Sequence, residues 1–194
     1  MKRKIAVFAS GNGTNFEALA NACADGRLDA EIVLCVTDKP GAYVVERARR
    51  HDVPTIEFRP KDFASKAEFE TMLVNELRSR GVELICLAGY MRIIGDVLLE
   101  NYGGRIINIH PSLLPAFRGA DAIGQALEYG VKVFGVTIHY VDATLDGGKI
   151  ISQVAVAYDG SDREELEPLI HAQEHILYPR TVARILDSLP HENQ

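Results

Sequence analysis

Residues 5–15, IAVFASGNGTN, decide the fold class of this chain. The five apolar residues predict a strand that is buried on both faces. The glycines that follow predict a tight turn, and the turn leads into a helix at Phe16 to Ala24. A buried strand that runs through a glycine turn into a helix is typical of a parallel α/β sheet.

The same alternation continues along the first half of the chain. Further strands are predicted at 31–37, 55–58, 84–88 and 105–109, and further helices at 44–50, 66–80 and 95–102. Short apolar strands that alternate with amphipathic helices predict an open, mostly parallel twisted sheet with helices on both faces.

The pattern changes in the second half. A helix is predicted at 121–129, and two strands at 133–141 and 150–157 are joined by the loop 142–148, which predicts an antiparallel pair at the sheet edge. A long closing helix is predicted at 163–186, with Pro168 accommodated near its start and Pro179 expected to kink or split it. Because no linker or repeat is visible, the sequence predicts one domain over residues 1–194.

The composition is that of an ordinary soluble globular protein, with 47% hydrophobic and 25% charged residues. The net charge of -6 argues against nucleic acid as a partner. Cys23, Cys35 and Cys86 lack metal or disulfide spacing and predict reduced core thiols in a cytoplasmic protein. No signal peptide or segment of about 20 apolar residues is visible, so no membrane association is expected.

The glycine turn could hold an anion. Backbone N–H groups at a glycine turn and a helix N-terminus favour phosphate. Phe16 replaces the third glycine of a dinucleotide fingerprint, and no Walker lysine is present. The turn therefore favours a phosphate monoester on a small substrate, while a plain turn with Thr14 or Asn15 as helix cap is the structural alternative.

A second motif, NIHPSLLP at residues 108–115, follows the strand at 105–109. Because strand side chains alternate, Asn108 and His110 point to the same face. An amide and an imidazole held side by side could supply an oxyanion donor and a proton carrier. The structural alternative is a buried histidine at a strand end, and the motif by itself favours that alternative.

Asp146 lies in the sequence Leu-Asp-Gly-Gly at 145–148. A carboxylate close to His110 would orient the ring and stabilise its imidazolium form, although spacing alone favours an ordinary turn residue. A hydrolase triad with Ser112 is disfavoured because the glycine-flanked nucleophile elbow is missing. A metal site is disfavoured because no HExxH motif occurs, and His139 is predicted to be structural.

Taken together, the motifs resemble a known family. SGNGTN at 10–15, AGYMR at 88–92, NIHPSLLP at 108–115, LDGG at 145–148 and QEH at 173–175 with the following Tyr-Pro occur in the order found in folate-dependent phosphoribosylglycinamide formyltransferases. The resemblance extends from Ile5 to about Leu186. It implies a Rossmann-like formyltransferase fold, 10-formyltetrahydrofolate as the co-substrate that donates the formyl group, and no metal. The sequence does not determine the oligomeric state and is compatible with a homodimer.

The resemblance also assigns residues. It implies that Asn108, His110 and Asp146 are catalytic. The residues implied to contact the ribonucleotide are Gly11, Asn12, Gly13, Thr14, Asn15, Met91 and Glu174. The residues implied to line the folate pocket are Lys66, Met91, Arg92, Ile93, Ile94, Asn108, Val141, Asp142, Ala143, Thr144, Leu145 and Asp146. Lys66 stands where many members carry arginine, and residues 118–123 depart from the family pattern, which leaves the contacts of that loop open.

The implied chemistry is direct transfer of a formyl group from 10-formyltetrahydrofolate to the glycinamide amine in purine synthesis. Asn108 would donate to the developing oxyanion, and His110 would carry the proton through a water. Three rivals remain. A formyltetrahydrofolate hydrolase would be expected to have an added N-terminal domain, and a methionyl-tRNA formyltransferase a C-terminal RNA-binding domain. A non-catalytic NAD-binding module would use the glycine turn, with Asp38 at the ribose.

Overall fold

The computed structural model describes residues 2–190. Within that range the chain forms seven strands and six α-helices. The strands are β1 (Arg3–Phe8), β2 (Ala30–Thr37), β3 (Thr55–Glu57), β4 (Leu84–Leu87), β5 (Ile106–His110), β6 (Val133–Tyr140) and β7 (Ile150–Ala157). The helices are α1 (Thr14–Ala24), α2 (Tyr43–Arg50), α3 (Lys66–Ser79), α4 (Asp96–Tyr102), α5 (Ala122–Tyr129) and α6 (Arg163–Ser188). A single 3₁₀ turn, Pro60–Asp62, precedes α3.

The strands form one sheet in the order β3-β2-β1-β4-β5-β6-β7. Strands β1 to β5 are parallel, whereas β6 is antiparallel to β5, and β7 is antiparallel to β6. This arrangement confirms the predicted mostly parallel sheet with an antiparallel pair at its edge. The chain reverses its direction of growth between β1 and β4, where open α/β sheets bind ligands at the carboxyl ends of the strands.

Each face of the sheet carries its own apolar core. On one face the core includes Phe16 and Leu19 of α1 together with Ile170 and Val182 of α6. On the other face α3 and α4 cover the sheet through side chains such as Leu73. The helices are thus on both faces, as predicted, because every central strand is apolar on both of its faces.

The long closing helix differs from the prediction at one point. Pro179 lies inside α6, which continues without a break to Ser188, so the expected split at this proline is wrong. Pro179 itself is buried, and the preceding Tyr178 donates from its hydroxyl to the carbonyl oxygen of Leu87 at 2.7 Å. The packing of this face on the sheet outweighs the one backbone hydrogen bond that the proline removes. The other predicted element boundaries lie within two residues of those observed.

The cysteines are free thiols, as predicted. Cys35 and Cys86 are buried and Cys23 is partly buried. Burial raises the pKa of Cys23 to about 11 and that of Cys35 to about 12, so these thiols carry little thiolate at neutral pH. In residues 2–190 no helix combines the length and the apolar character needed to cross a membrane.

Candidate functional site

The end of β5 brings the predicted amide and imidazole to the sheet edge where ligands bind. Leu87 at the end of β4 pairs with Asn108, so the segment after β4 begins beside this residue. His110 is the last residue of β5 and is 6% exposed. The two side chains both reach the carboxylate of Asp146, which confirms that they lie on one face of the strand.

The two ring nitrogens of His110 have different neighbours. Nε2 lies 2.8 Å from the carbonyl oxygen of Phe117, and a carbonyl accepts only from an N–H, so Nε2 carries a proton. Nδ1 faces the Asp146 carboxylate, with 3.5 Å between Nδ1 and Oδ2. Because Nε2 keeps its proton on the Phe117 carbonyl, Nδ1 is the nitrogen that can gain and lose a proton.

His139 belongs to this cluster, although the sequence predicted a structural role for it. It lies opposite Asn108 in the antiparallel register of β5 and β6. Its Nδ1 donates to the carbonyl oxygen of Tyr140 at 2.9 Å, which leaves the Nε2 lone pair to accept from the Asn108 amide at 3.2 Å. The missed signal was the strand pairing itself, because the residue opposite Asn108 cannot be identified before the register is known.

Asp146 is where the three polar side chains meet. Its Oδ2 accepts from the backbone N–H of Gly119 at 2.8 Å, and its Oδ1 lies 3.7 Å from Nε2 of His139. Burial by itself would raise the pKa of this carboxyl. The nearby ring of His139, the hydrogen bond from the Gly119 N–H and the imidazole of His110 together outweigh burial and hold the pKa of Asp146 below its usual value.

The loop that carries Asp146 is held by a close approach of two backbone segments. Gly148 is buried, and a Cβ at this position would overlap the carbonyl oxygen of Tyr140. Asp146 itself has φ 47°, in the left-handed region that aspartate and asparagine tolerate better than most residues. The position of the carboxylate thus depends on a glycine two residues away.

If Asp146 is catalytic, as the resemblance implies, we expect Gly148→Ala to lower kcat/KM by about 10²-fold, because a displacement near 1 Å of such a group costs that much. The measurement is steady-state turnover of the purified variant in the formyl-transfer assay that the resemblance implies. Lys149→Ala is the control, since this neighbouring side chain is exposed and should leave the rate unchanged. A Gly148→Ala variant with the wild-type rate would show that the close approach does not position Asp146.

The loop after β1 has the form of an anion site. Gly13 has φ 78°, and a Cβ there would lie 2.5 Å from Cγ2 of Val44, so both the backbone and the contact with α2 require glycine. No side chain among the described residues caps the N-terminus of α1, in contrast to the cap by Thr14 or Asn15 that the sequence offered. The free N–H groups and the helix dipole there favour a phosphate.

Hydrogen bonds link Asn15 at the end of the glycine loop to Glu174 and His171 of α6. Asn15 donates from Nδ2 to Oε2 of Glu174 at 3.0 Å, and the same oxygen lies 2.9 Å from Nδ1 of His171. The hydrogen bond to Glu174 is the main reason that the pKa of His171 is raised. The Oδ1 atom of Asn15 is buried and has no partner in the described part of the chain. The structure thus brings into direct contact Asn15 and Glu174, two residues that the resemblance assigns to the ribonucleotide.

The remaining loop residue, Asn12, is exposed and is tied to α2. The guanidinium of Arg47 donates to the Asn12 carbonyl at 2.8 Å and to its side-chain oxygen at 2.6 Å. Arg47 also pairs with Glu17 of α1 at 3.1 Å. Gly11 is held from the same helix, since its carbonyl accepts from the backbone N–H of Val44 at 3.1 Å.

Three apolar residues implied for a folate pocket lie on segments that adjoin the trio of Asn108, His110 and Asp146. Met91, Ile93 and Leu145 are 70%, 60% and 54% exposed, which is unusual for side chains of this size. Ile94 is instead 4% exposed and belongs to the core under α3 and α4. Lys66 begins α3, and its Cε lies near Gly95, at the end of the segment that carries Met91 and Ile93.

Four further members of the predicted folate set, Val141 to Thr144, lie in the loop between β6 and β7. Asp142 accepts from the backbone N–H of Thr144 at 2.8 Å, and the hydrogen bonds from Thr144 lower the pKa of this carboxyl. Ala143 is exposed, and Val141 donates from its backbone to Ile106 at 2.9 Å. This loop therefore begins beside Ile106 of β5 and leads to Asp146.

The geometry bears on three alternatives: a Ser–His pair, a metal site and a nucleotide-binding module. The hydroxyl of Ser112 donates to the carbonyl oxygen of Ala116 at 2.6 Å, and His110 is directed to Phe117 and Asp146, so no Ser–His pair forms. In residues 2–190 no group of three or more histidine, cysteine, aspartate or glutamate side chains is arranged to hold a metal ion. Asp38, which a nucleotide-binding module would place at a ribose, accepts from Ser10 instead.

Comparison with known proteins places these residues in context. A family model described as formyl transferase matches residues 3–182. The chain is 53% identical over 185 residues to the phosphoribosylglycinamide formyltransferase of Bacillus subtilis (strain 168), and the match covers 95% of each chain. It is 43% identical over 179 residues to the trifunctional purine biosynthetic protein adenosine-3 of Gallus gallus, where the match covers 92% of this chain and 18% of that protein.

Solved structures agree with these matches. The glycinamide ribonucleotide transformylase 1 of Geobacillus kaustophilus is 52% identical and superposes with a TM-score of 0.93, covering 96% of this chain and 100% of that chain. The phosphoribosylglycinamide formyltransferase of Bacillus halodurans is 49% identical, with a TM-score of 0.92 and 96% coverage of both chains.

Proposed function

The chain belongs to the formyl transferase family, and from this premise we propose that it transfers a formyl group from 10-formyltetrahydrofolate to the amino group of N1-(5-phosphoribosyl)glycinamide. The products are the formylglycinamide ribonucleotide and tetrahydrofolate, in de novo purine biosynthesis. The observation that carries the proposal is that Asn108 and His110 both reach Asp146 at the carboxyl ends of the parallel strands. The glycine loop follows β1 at the same end of the sheet.

The proton transfer is assigned to one atom. The amine nitrogen forms a bond to the formyl carbon, and the bond from that carbon to the folate nitrogen breaks. One proton leaves the amine and one reaches the folate nitrogen. Nδ1 of His110 accepts the proton from the amine and delivers a proton to the folate nitrogen, through a water, because Nε2 is engaged by the Phe117 carbonyl. Asp146 stabilises the imidazolium that forms in between.

Asn108 supplies the donor for the developing oxyanion. Its Nδ2 carries two hydrogens, one directed to Nε2 of His139 at 3.2 Å and one to Oδ1 of Asp146 at 3.5 Å. The contact with Asp146 is long, so this N–H is the one that donates a hydrogen bond to the formyl oxygen as negative charge develops on it. His139 therefore fixes the amide orientation, since its Nε2 accepts and the amide must present its N–H groups.

The two substrates bind at neighbouring segments, with Met91 available to both. The phosphate of the ribonucleotide binds at residues 11–15, with Glu174 and Met91 beside it. The folate lies against the exposed apolar side chains of Met91, Ile93 and Leu145, with Lys66 and Arg92 available for its negative charges. This chemistry needs no metal, because the protein groups supply the charge stabilisation.

The wider context follows from the same proposal. Residues 1–194 act as one formyltransferase domain, of which residue 1 and residues 191–194 lie outside the described structure. The partners are small molecules, with neither nucleic acid nor membrane involved. The enzyme acts in the cytoplasm, and a homodimer is compatible with the proposal.

The direct test is the absorbance-monitored loss of 10-formyltetrahydrofolate with and without the glycinamide ribonucleotide. We expect loss that depends on the ribonucleotide and matches the formylated product in a one-to-one ratio. Equal loss without the amine would identify a hydrolase instead. No loss in either mixture, combined with thermal stabilisation by NAD, would favour a nucleotide-binding module.

A further inference from the structure

A buried hydroxyl and a buried carboxylate join the strand ends on either side of the glycine loop. Ser10 follows β1 and is 3% exposed, and Asp38 follows β2 and is 8% exposed. The hydroxyl of Ser10 donates to Oδ1 of Asp38 at 2.5 Å. Neither residue touches the trio at β5, so the mechanism above leaves this pair without a role.

The same hydroxyl holds the segment that follows β4. The backbone N–H of Met91 donates to Oγ of Ser10 at 2.9 Å, and the backbone N–H of Ser10 donates to the carbonyl of Gly89 at 3.1 Å. A hydroxyl has one proton and two lone pairs. Because Asp38 takes the proton, a lone pair of Ser10 is directed to Met91.

The position of this pair connects the loop assigned to the ribonucleotide with the segment assigned to the folate in the proposed function, and Met91 itself is assigned to both substrates. Ser10 immediately precedes residues 11–15, and Met91 begins the segment 91–94. The segment is held further by Arg92, whose guanidinium lies over the Phe69 ring at 5.6 Å. Arg92 Nη1 is 3.9 Å from Oδ2 of Asp38, too far for a hydrogen bond, so Ser10 makes the direct link.

We propose that Ser10 and Asp38 are positioning residues. They fix the position of the ribonucleotide loop, residues 11–15, relative to the folate segment, residues 91–94. This inference rests on the proposed function, because that function assigns the two loops to their substrates. The pair acts through the backbone of Met91 and does not contact the reacting atoms.

Ser10→Ala is expected to raise the KM for both substrates by about threefold to tenfold, the effect of losing one hydrogen bond. The turnover number should change less than either KM, because the trio at β5 is intact. Asp38→Ala should reproduce both shifts. Since the two residues form one unit, the double variant Ser10→Ala/Asp38→Ala should be no worse than either single variant.

Two further variants separate positioning from stability. Asp38→Asn keeps a side-chain oxygen that accepts from Ser10, so both KM values should stay within about twofold of wild type. Thr181→Val is the matched control for a lost buried hydroxyl. Thr181 lies in α6, is 2% exposed and donates from its hydroxyl to Ser152 of β7, away from the glycine loop. It should lower Tm as Ser10→Ala does and leave both KM values unchanged.

The readouts are both KM values, kcat and Tm for each variant, together with titration of each substrate alone. The wild type is measured first, and a wild type without formyl transfer to the ribonucleotide contradicts the proposed function, not the pair. With an active wild type, a lower Tm for Ser10→Ala without a change in either KM overturns the inference. A shift in the KM of one substrate alone also overturns it, since the link between the loops would then be absent.

Discussion

We expect His110→Ala and Asn108→Ala each to lower kcat by at least about 10²–10³-fold, because the proposed mechanism makes Asn108 an oxyanion donor and His110 the proton carrier. His110 loses Nδ1, the nitrogen left free when Nε2 donates to Phe117. Asn108 loses the N–H that is held only loosely by Asp146 at 3.5 Å. These are the largest effects that we expect from single side chains in this protein.

The measurement is steady-state turnover with saturating substrates, supported by circular dichroism and Tm to show that each variant is folded. His51→Ala is the matched control, because its ring is paired with Glu17 at 3.0 Å on α1 and lies outside the trio. It should keep turnover within about twofold of wild type. Near wild-type turnover in both His110→Ala and Asn108→Ala would contradict the mechanism.

Asp146→Asn is expected to reduce kcat by about 10²–10⁴-fold, the range of acid–base contributions, because His110 loses the charge that stabilises its imidazolium. Asparagine keeps the size of the side chain and tolerates the backbone φ of 47°, so the loop should stay folded. The measurement is steady-state turnover together with Tm, and a folded variant with wild-type turnover would contradict the pairing of the two side chains.

The Asp146→Asn variant is also expected to differ from wild type in how its stability changes with pH. The folded-state pKa of Asp146 is below its usual value, so the ionised carboxylate contributes stability above the unfolded-state pKa and loses it as pH falls through the folded-state value. The Tm difference between wild type and Asp146→Asn should therefore narrow as the solution is acidified. Asp25→Asn is the control for turnover, since this exposed carboxylate pairs with Arg27 at the end of α1, away from Asn108 and His110.

The fold was predictable because its signals are local. The apolar run at 5–9 and the glycines after it predict strand β1 and the turn into α1 from neighbouring residues alone. Pro179 shows the limit of that reasoning. The effect of a proline on its own backbone can be predicted from the local sequence. The packing of Tyr178 against β4 depends on residues far away in the chain, and this packing outweighs the local effect of Pro179.

The site was predictable in part for the same reason. The strand period is enough to place Asn108 and His110 on one face, since alternation needs no knowledge of the partner strand. Asp146 could be proposed only through the resemblance, because 38 residues separate it from Asn108 and spacing alone favoured a turn. His139 was predicted to be structural, and the register between β5 and β6 was needed to place it against Asn108.

The sequence by itself determined the alternation of strands and helices, the glycine loop that exposes N–H groups, and the shared face of Asn108 and His110. Each of these depends on residues within a few positions of one another. The tertiary structure decided that Asp146 reaches His110, that His139 orients Asn108, that Glu174 supports Asn15, and that Ser10 joins two loops. These contacts bring together residues distant in sequence, and their geometry is set by sheet order, strand register and helix packing, which no local pattern specifies.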